Sequence, residues 1–370
     1  FGPDGKVKWQ LNGSSNSTHN YLTACAVSQS QALVSAGYTS PAWWMFRQNE
    51  TGAQLSSTTW HPGEHGAAYG GVREDGTGFV VSGYMFHAGL YRALGLKTDG
   101  SGNAWQSFWA DGGTNEFAYD GIAHPFGGYW LAGGTQTKGS IYYDGILYRF
   151  SATAAYIGKT IVGGGAEDRF FALALLPKGG LVVGGITGSK GAGNADGWLV
   201  FFGDDGKVTR EVTYGGPGND IVRSLVATSD GGYTLAGWTA SGSAQGNDGW
   251  VVHTDSFGNA MWQKTYGGAK DDQFQSVRTT PEGGLVLAGT SDSQFTALQA
   301  WVLRTDPWGN TSCSEAGACA GLRLEDCGDG NPCTADWCHQ VAGCMHKALA
   351  DGAVCAGAGN TCKGGVCQGL

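Results

Sequence analysis

The fold of this chain is decided by the stretch VTYGGPGNDIVRSLVATSDGGYTLAGWT, Val212 to Thr239, followed by DGWVVHTDSFG, Asp248 to Gly258. The next segment repeats the same order, as KTYGGAKDDQFQSVRTTPEGGLVLAGTS from Lys264 to Ser291 and then QAWVLRTDPWG from Gln299 to Gly309. Both copies contain four short apolar stretches separated by glycine-containing turns. This pattern predicts four β-strands per repeat of about fifty residues.

Looser copies of the repeat occur earlier in the chain and bring the number of visible repeats to six. Their third apolar stretches read LVSAG ending at Gly37, FVVSG from Phe79, YWLAGG from Tyr129 and LVVGG from Leu181. Four-stranded repeats of this length are typical of β-propeller blades, which must stack on neighbours to bury both faces. The opening FGPDGKV resembles FFGDDGKV near Phe202, so the ring could have six or seven blades. The predicted fold is therefore all-β, a propeller of four-stranded blades over residues 1–310.

Composition and motifs narrow the function. The 370 residues carry a net charge of −9, and an acidic chain lacks the basic face that nucleic acids require. No apolar run reaches the length of about eighteen residues that a membrane span needs. Nucleophile-elbow, phosphate-loop and dinucleotide fingerprints are absent from the sequence. We therefore expect neither a catalytic centre nor a cofactor.

Two sets of residues recur at one position of several repeats, which indicates an architectural role. Tryptophans on the fourth apolar stretch are expected to fill the space between adjacent sheets: Trp198, Trp250 and Trp301. Aspartates that follow the glycine-rich loop are expected to cap the turn by accepting backbone hydrogen bonds: Asp168, Asp220 and Asp272. Cys25 occupies the place of Leu173 and Leu225, so it is expected to be a buried free thiol.

Residues 311–370 form a second region with a different composition. Nine of the ten cysteines lie there, and their density predicts a small disulfide-stapled loop module in an oxidising compartment. They are Cys313, Cys319, Cys327, Cys333, Cys338, Cys344, Cys355, Cys362 and Cys367. Because nine is odd, one of them is expected to pair elsewhere or stay free. Glycosylation sequons begin at Asn12, Asn16, Asn49 and Asn310.

The segment CGDGNPCTADWCHQVAGCMH, Cys327 to His346, and the ending TCKGGVCQG carry a resemblance. They are similar to cysteine-rich modules of secreted proteins from myxobacteria and related deltaproteobacteria, while the repeats resemble those of bacterial secreted propellers. The resemblance implies an exported bacterial surface or extracellular-matrix protein. Asp329 and Asn331 in this segment are weak candidates for calcium ligands, and a simple turn explains them equally well.

Three functions remain open at this stage. The first is an extracellular structural or adhesive role, a rigid propeller scaffold that assembles with other extracellular proteins or with copies of itself, in a polymer or otherwise. The second is a glycan- or protein-binding module that uses unrepeated aromatic residues, among them Trp43, Trp44, Trp60, Trp109 and Trp130. The third is a quinoprotein-like enzyme, suggested by the faint pattern from Asp255 to Trp262.

Overall fold

A computed structural model describes most of the repeat region and four short strands beyond it. The described residues are 21–28, 32–39, 42–60, 65–68, 71–109, 112–137, 139–176, 179–242, 246–293, 298–311, 334–339, 343–348, 361–363 and 366–368. Every regular element among them is a β-strand.

The strands of the repeat region form six consecutive sheets. The first three sheets contain β1 (Tyr21–Val27), β2 (Leu33–Thr39), β3 (Ala42–Gln48) and β4 (Gln54–Trp60); β5 (His65–Ala67), β6 (Val72–Glu74), β7 (Gly78–His87), β8 (Leu90–Asp99) and β9 (Ala104–Trp109); and β10 (Glu116–Ala123), β11 (Tyr129–Gln136), β12 (Tyr143–Phe150) and β13 (Tyr156–Val162). The last three contain β14 (Asp168–Leu175), β15 (Leu181–Thr187), β16 (Asp196–Phe202) and β17 (Val208–Tyr214); β18 (Asp220–Ala227), β19 (Tyr233–Thr239), β20 (Asp248–Thr254) and β21 (Ala260–Tyr266); and β22 (Asp272–Thr279), β23 (Leu285–Ser291) and β24 (Gln299–Thr305).

Each sheet follows the chain order, with neighbouring strands antiparallel. In the second sheet β5 and β6 both pair with β7, and together they occupy the position that the first strand has in the other sheets. Three strands of the sixth sheet lie among the described residues, and the opening segment from Phe1 lies outside them. The six sheets of the described residues are the blades of a six-bladed β-propeller, which confirms the predicted fold class.

The hairpins between the first and second strands of the fifth and sixth sheets explain the paired glycines of the sequence. Gly231 and Gly283 adopt φ values of 84° and 83°, a region that residues with a side chain rarely enter. The turn at Gly231 is closed by its amide, which donates to the carbonyl of Thr228 at 3.0 Å. The paired glycines are therefore required by hairpins that need positive φ.

By its internal contacts the chain divides into two compact units, residues 1–223 and 224–370. In the first unit, apolar clusters join the first sheet to the second, the second to the third and the third to the fourth. In the other unit, one cluster joins the fifth and sixth sheets. Within each unit, successive blades therefore cover one another's apolar faces, as the repeat requires.

Two of the three predicted packing tryptophans lie in these clusters. Trp198 is fully buried between the third and fourth sheets, where its ring lies 5.0 Å from that of Phe170. Trp301 is partly buried between the fifth and sixth sheets and stacks on Phe274 at 4.8 Å. Trp250 is buried on β20. Trp198 and Trp301 thus lie between adjacent sheets, and for Trp250 the inter-blade role stays a prediction.

Cys25 is a free cysteine, but it is exposed rather than buried. It pairs with Ser35 on the neighbouring strand, while its neighbours Ala24 and Ala26 pack against the core between the first two sheets. Because successive side chains of a strand point to opposite faces, Cys25 lies on the face directed away from that core. The repeat predicted the correct register for Cys25. The expectation that Cys25 is buried was wrong, because its side chain lies on the face of the first sheet that is directed away from the core.

The cysteine-rich region is described at two hairpins. One pairs β25 (Thr334–His339) with β26 (Gly343–Ala348), and the other pairs β27 (Thr361–Lys363) with β28 (Val366–Gln368). Cys367 is disulfide-bonded. Five of the predicted disulfide cysteines fall outside the described residues: Cys313, Cys319, Cys327, Cys333 and Cys355.

Candidate binding site

The candidate site lies on the first strands of the third, fourth and fifth sheets. In β10 and β14 the register with the next strand shifts at one residue, which is Tyr119 in β10 and Phe171 in β14. Arg223 holds the same repeat position in β18. These residues are half-buried while the residues on either side of them are buried. At this position the side chain differs from blade to blade, and the strand directs it toward solvent.

Aromatic rings continue from this row across the second and third sheets. The ring centroids of Tyr119 and Phe171 are 5.2 Å apart. Phe117 lies 5.7 Å from Tyr143 and 5.1 Å from Tyr91. These distances are within the range of favourable aromatic pairs. The arginine–aromatic surface, as named below, comprises Tyr84, Tyr91, Phe117, Tyr119, Tyr143, Arg169, Phe171 and Arg223.

Arg169 is held in this surface by several partners. Its guanidinium lies 4.2 Å from the centre of the Tyr143 ring, and its Nη1 donates to the hydroxyl of Tyr119 at 3.2 Å. It also forms an ion pair with Glu167. Arg169 therefore has both a fixed position and a neutralising carboxylate.

Arg223 differs from Arg169 in its lack of a counter-ion. Its guanidinium lies 4.3 Å from the centre of the Phe171 ring. Its Nε is buried and makes no hydrogen bond, and no carboxylate of the described ranges pairs with it. Burial lowers the pKa of Arg223, and the nearby Arg169 lowers it further, while Tyr119 raises it. A partly buried cation without a counter-ion favours the binding of an anion.

The hydroxyls of the surface are also affected by burial. Desolvation raises the pKa of Tyr119, while the neighbouring Arg169 lowers it. Desolvation likewise raises the pKa of Tyr143. Both phenols are therefore neutral at physiological pH and available as hydrogen-bond donors or acceptors. The surface thus combines flat apolar rings, hydroxyls and one uncompensated positive charge.

A second unrepeated group lies beside this row and ties three blades together. Arg73 of β6 donates from Nη2 to Asp120 of β10 at 2.6 Å and to the carbonyl of Leu173 of β14 at 2.9 Å. The Asp120 carboxylate also accepts the amides of Gly121 at 2.9 Å and Leu173 at 3.0 Å. In the sixth sheet the equivalent amide of Val277 donates to Ser224. The Asp120 carboxylate is therefore hydrogen-bonded to Arg73 and to two backbone amides, and the Arg73–Asp120 pair links three adjacent blades.

The predicted turn-capping aspartates are buried at the starts of their strands. Each accepts a backbone amide of the preceding glycine loop, Asp168 from Gly164 at 2.9 Å and Asp220 from Gly216 at 2.8 Å. Asp272 accepts the amide of Gly268 at 2.9 Å. The structure also brings each of them next to a second aspartate, which the sequence did not reveal.

Other candidate residues have different environments. Trp43 and Trp130 are buried, and Trp109 is exposed at the end of β9, so the tryptophans of the ligand-binding hypothesis do not form one surface. Asp255 accepts the amides of Phe257 and Asn259 at 2.8 Å each, which closes the turn between β20 and β21.

The weak calcium candidates and two of the sequons cannot be placed. Asp329, Asn331, Asn12 and Asn16 lie outside the described residues. Asn49 is in an exposed turn, and the side-chain amide of Asn310 donates to Asp306 at 2.6 Å. In the described part of the chain no three metal-ligating side chains of the His, Cys, Asp and Glu types gather.

The sequence carried one signal that could have found the arginine–aromatic surface. Residues 119, 171 and 223 are spaced by one repeat length, yet they are Tyr, Phe and Arg rather than one residue type. Variation at a fixed position of a repeat indicates a residue free of the packing constraint. The second aspartates and the Arg73–Asp120 pair join different repeats, and a single sequence does not show such pairings.

Comparisons with known proteins show no family for this chain. No protein-family model and no curated protein matches the chain. Similar solved structures include Sqt1 of Chaetomium thermophilum bound to the N-terminus of ribosomal protein L10, with a TM-score of 0.46 and 12% identity over 76% of this chain and 74% of that one. The Pan2 WD40 domain of Neurospora crassa has a TM-score of 0.48 and 11% identity over 77% and 75% of the two chains. A GH93 α-L-arabinofuranosidase of Fusarium graminearum has a TM-score of 0.48 and 12% identity over 76% and 92%.

The strand topology of the chain itself shows a β-propeller scaffold, and the arginine–aromatic surface lies on its second to fifth sheets. Within the described residues, nothing helical has the length and hydropathy of a transmembrane segment.

Proposed function

We propose that this protein is a non-catalytic binding propeller that holds a partner protein by an acidic side chain inserted into the arginine–aromatic surface. The observation that carries this proposal is Arg223, a half-buried guanidinium with no carboxylate partner among the described residues. A carboxylate from a partner would supply the missing charge and accept hydrogen bonds from the guanidinium.

The composition of the surface favours a protein over a glycan. Phe117 and Phe171 offer no hydrogen-bonding atoms for sugar hydroxyls, and the nearest carboxylate, Glu167, is already paired with Arg169. Arginine, tyrosine and other aromatic residues are the types that carry most of the energy at protein interfaces. An acidic residue next to an aromatic or aliphatic one would fit both parts of the surface.

The binding role agrees with an extracellular scaffold, which is part of the proposal. The disulfide at Cys367 supports an oxidising compartment, as does the resemblance of the terminal region to secreted bacterial modules. In this setting the blades form a rigid frame and the surface captures another extracellular protein, so the chain acts in adhesion or assembly. No residue of the surface is proposed to take part in a reaction.

A peptide-display selection against the full chain tests the proposal. We expect selected peptides to be enriched in Asp or Glu beside an apolar residue. Arg223→Gln should weaken their binding by about tenfold or more, because a hydrogen bond to a charged group contributes roughly 1.5–3 kcal/mol.

The matched control is Arg304→Gln, which removes an exposed arginine whose Nη2 lies 3.4 Å from Glu282. This change should leave binding unaltered. Peptides that bind without an acidic residue, or equally to the Arg223→Gln variant, would contradict the proposal. Binding to acidic glycans on an array, with no peptide selected, would contradict the choice of a protein partner.

A further inference from the structure

Glu167 lies at the border of the arginine–aromatic surface and holds its carboxylate against Arg169. The two side chains form an ion pair between Glu167 Oε1 and Arg169 Nε. The other carboxylate oxygen, Oε2, accepts the backbone amide of Tyr143 at 3.2 Å. The backbone of Glu167 is fixed as well, because its carbonyl accepts the amide of Gly188 at 2.7 Å. The carboxylate therefore has a defined position beside the surface.

The hydrogen bond that Glu167 accepts from the Tyr143 amide requires an oxygen at this position but no charge. Asn115 holds the same position in the preceding blade, one residue before its first strand. Its Oδ1 accepts the amide of Tyr91 at 3.1 Å, and Tyr91 corresponds to Tyr143 in the repeat. A neutral carboxamide thus performs the architectural role there, so the charge of Glu167 serves the ion pair instead.

This ion pair decides the net charge of the surface. Burial and the charge of Arg169 both lower the pKa of Arg223, so the two guanidiniums lie within electrostatic reach of each other. Among the described residues, Glu167 is the only carboxylate that forms an ion pair with either of them. Two positive charges and one negative charge leave the surface with one positive charge in excess.

Two hydrogen-bond donors beside this excess charge lack an acceptor. Arg223 Nε is buried and makes no hydrogen bond. The hydroxyl oxygen of Tyr119 accepts from Arg169 Nη1 at 3.2 Å, while its own hydrogen has no acceptor in the described part of the chain. An ionised carboxyl group only accepts hydrogen bonds and carries one negative charge, so it matches both the donors and the charge.

We propose that Glu167 is a specificity-determining residue, which limits the ligand of the arginine–aromatic surface to a protein segment with a single negative charge. This inference rests on the proposed function and names the class of its ligand, a lone Asp or Glu rather than a phosphorylated side chain. A second negative charge would meet the Glu167 carboxylate without a cation of its own, because Arg169 is already neutralised. Phosphoserine, which carries a charge of about −1.5 to −2 at pH 7, would be repelled in this way.

Two peptides that differ only in charge test this inference on the full chain. One is an acidic peptide selected by display on the wild type, and the other has phosphoserine in place of its acidic residue. Calorimetry gives their dissociation constants for the wild type and for Glu167→Gln, a variant that keeps an oxygen for the Tyr143 amide. Because a Coulomb energy is proportional to the charge of the ligand, this variant should bind the acidic peptide about threefold and the phosphopeptide about tenfold more tightly than the wild type does.

The matched control is Glu211→Gln. Glu211 resembles Glu167 in exposure, with side chains 30% and 32% exposed, and it also forms an ion pair, with Lys190. It lies on β17, at the opposite edge of the fourth sheet from β14. This variant should leave the ratio of the two affinities unchanged.

The inference is overturned if Glu167→Gln strengthens binding of the phosphopeptide by no more than that of the acidic peptide. It is also overturned if the wild type binds the phosphopeptide more tightly than the acidic peptide, a comparison that decides the matter should the variant fail to fold. Failure of the proposed function would look different, because the wild type would then select no acidic peptide, or Arg223→Gln would bind that peptide as tightly as the wild type does.

Discussion

The two unrepeated arginines of the first strands should respond in opposite directions to the same substitution. Arg73→Met removes the cation that neutralises Asp120, a carboxylate that is buried at 4% exposure. Arg223→Met removes a guanidinium that has no counter-ion among the described residues and replaces it with an apolar chain of similar length. The first change leaves a buried charge unpaired, and the second relieves the cost of burying one.

The magnitudes follow from the contacts of each arginine. After Arg73→Met, Asp120 keeps the two backbone amides of Gly121 and Leu173, so we expect a loss of about 2–3 kcal/mol in the free energy of unfolding. After Arg223→Met, the protein loses a cation–π contact with Phe171, which contributes roughly 0.5–1 kcal/mol at most sites. Relief of the desolvation should exceed this loss and leave a gain of about 1 kcal/mol.

Differential scanning calorimetry measures both effects under one condition. For a unit of this size a change of 1 kcal/mol shifts the melting temperature by roughly 2–4 °C. The Arg73→Met variant should therefore melt about 5–10 °C lower than the unmodified protein, and the Arg223→Met variant a few degrees higher. If Arg223→Met destabilises the protein as much as Arg73→Met, Arg223 has a structural partner and the reasoning about its free charge is refuted.

Three further predictions concern the core, a surface ion pair and the free thiol. Phe274→Ala should lower the free energy of unfolding by about 3–5 kcal/mol, because the ring is fully buried against Trp301. Phe257→Ala, at a 64% exposed position, should change it by less than about 0.5 kcal/mol. Equal effects of the two variants in denaturant unfolding would contradict the blade packing. The hydrogen bond from His253 lowers the pKa of Asp230, so this carboxyl contributes stability above its unfolded pKa of about 4 and loses it as the pH falls further. The stability difference between the wild type and Asp230→Asn should therefore shrink as the pH falls below about 4 in a denaturant series, and a constant difference would argue against the pair. Cys25 should react with a maleimide in the native protein, as peptide mapping would show, and labelling only after denaturation would mean that it is covered.

The sequence was sufficient to predict the blades because their determinants are local and repeated. The alternation of apolar residues and the glycine turns, such as that at Gly231, specify strands and hairpins within one repeat. The register was predictable as well, since Cys25 lies where Leu173 lies in its own blade. Its exposure was not, because burial depends on which neighbour covers each face of a sheet.

The contacts that join different blades could not be predicted from the sequence for a related physical reason. Arg73 reaches the carbonyl of Leu173 across 100 residues, and Asp168 meets Asp144 of the preceding repeat. Such contacts arise only when the blades stack. The repeated aspartates were visible as capping residues, whereas their second partners became evident only from the distances between strands of adjacent blades.

The most direct test of the binding account is a double-mutant cycle between Arg223 and the carboxylate of a selected peptide. Affinities are measured for the wild type and the Arg223→Gln variant, each with the peptide and with its Glu→Gln or Asp→Asn analogue. We predict a coupling energy of at least about 1.4 kcal/mol, which is a tenfold effect on affinity. A coupling energy of zero would mean that Arg223 does not meet the carboxylate, and the account of this surface would be contradicted.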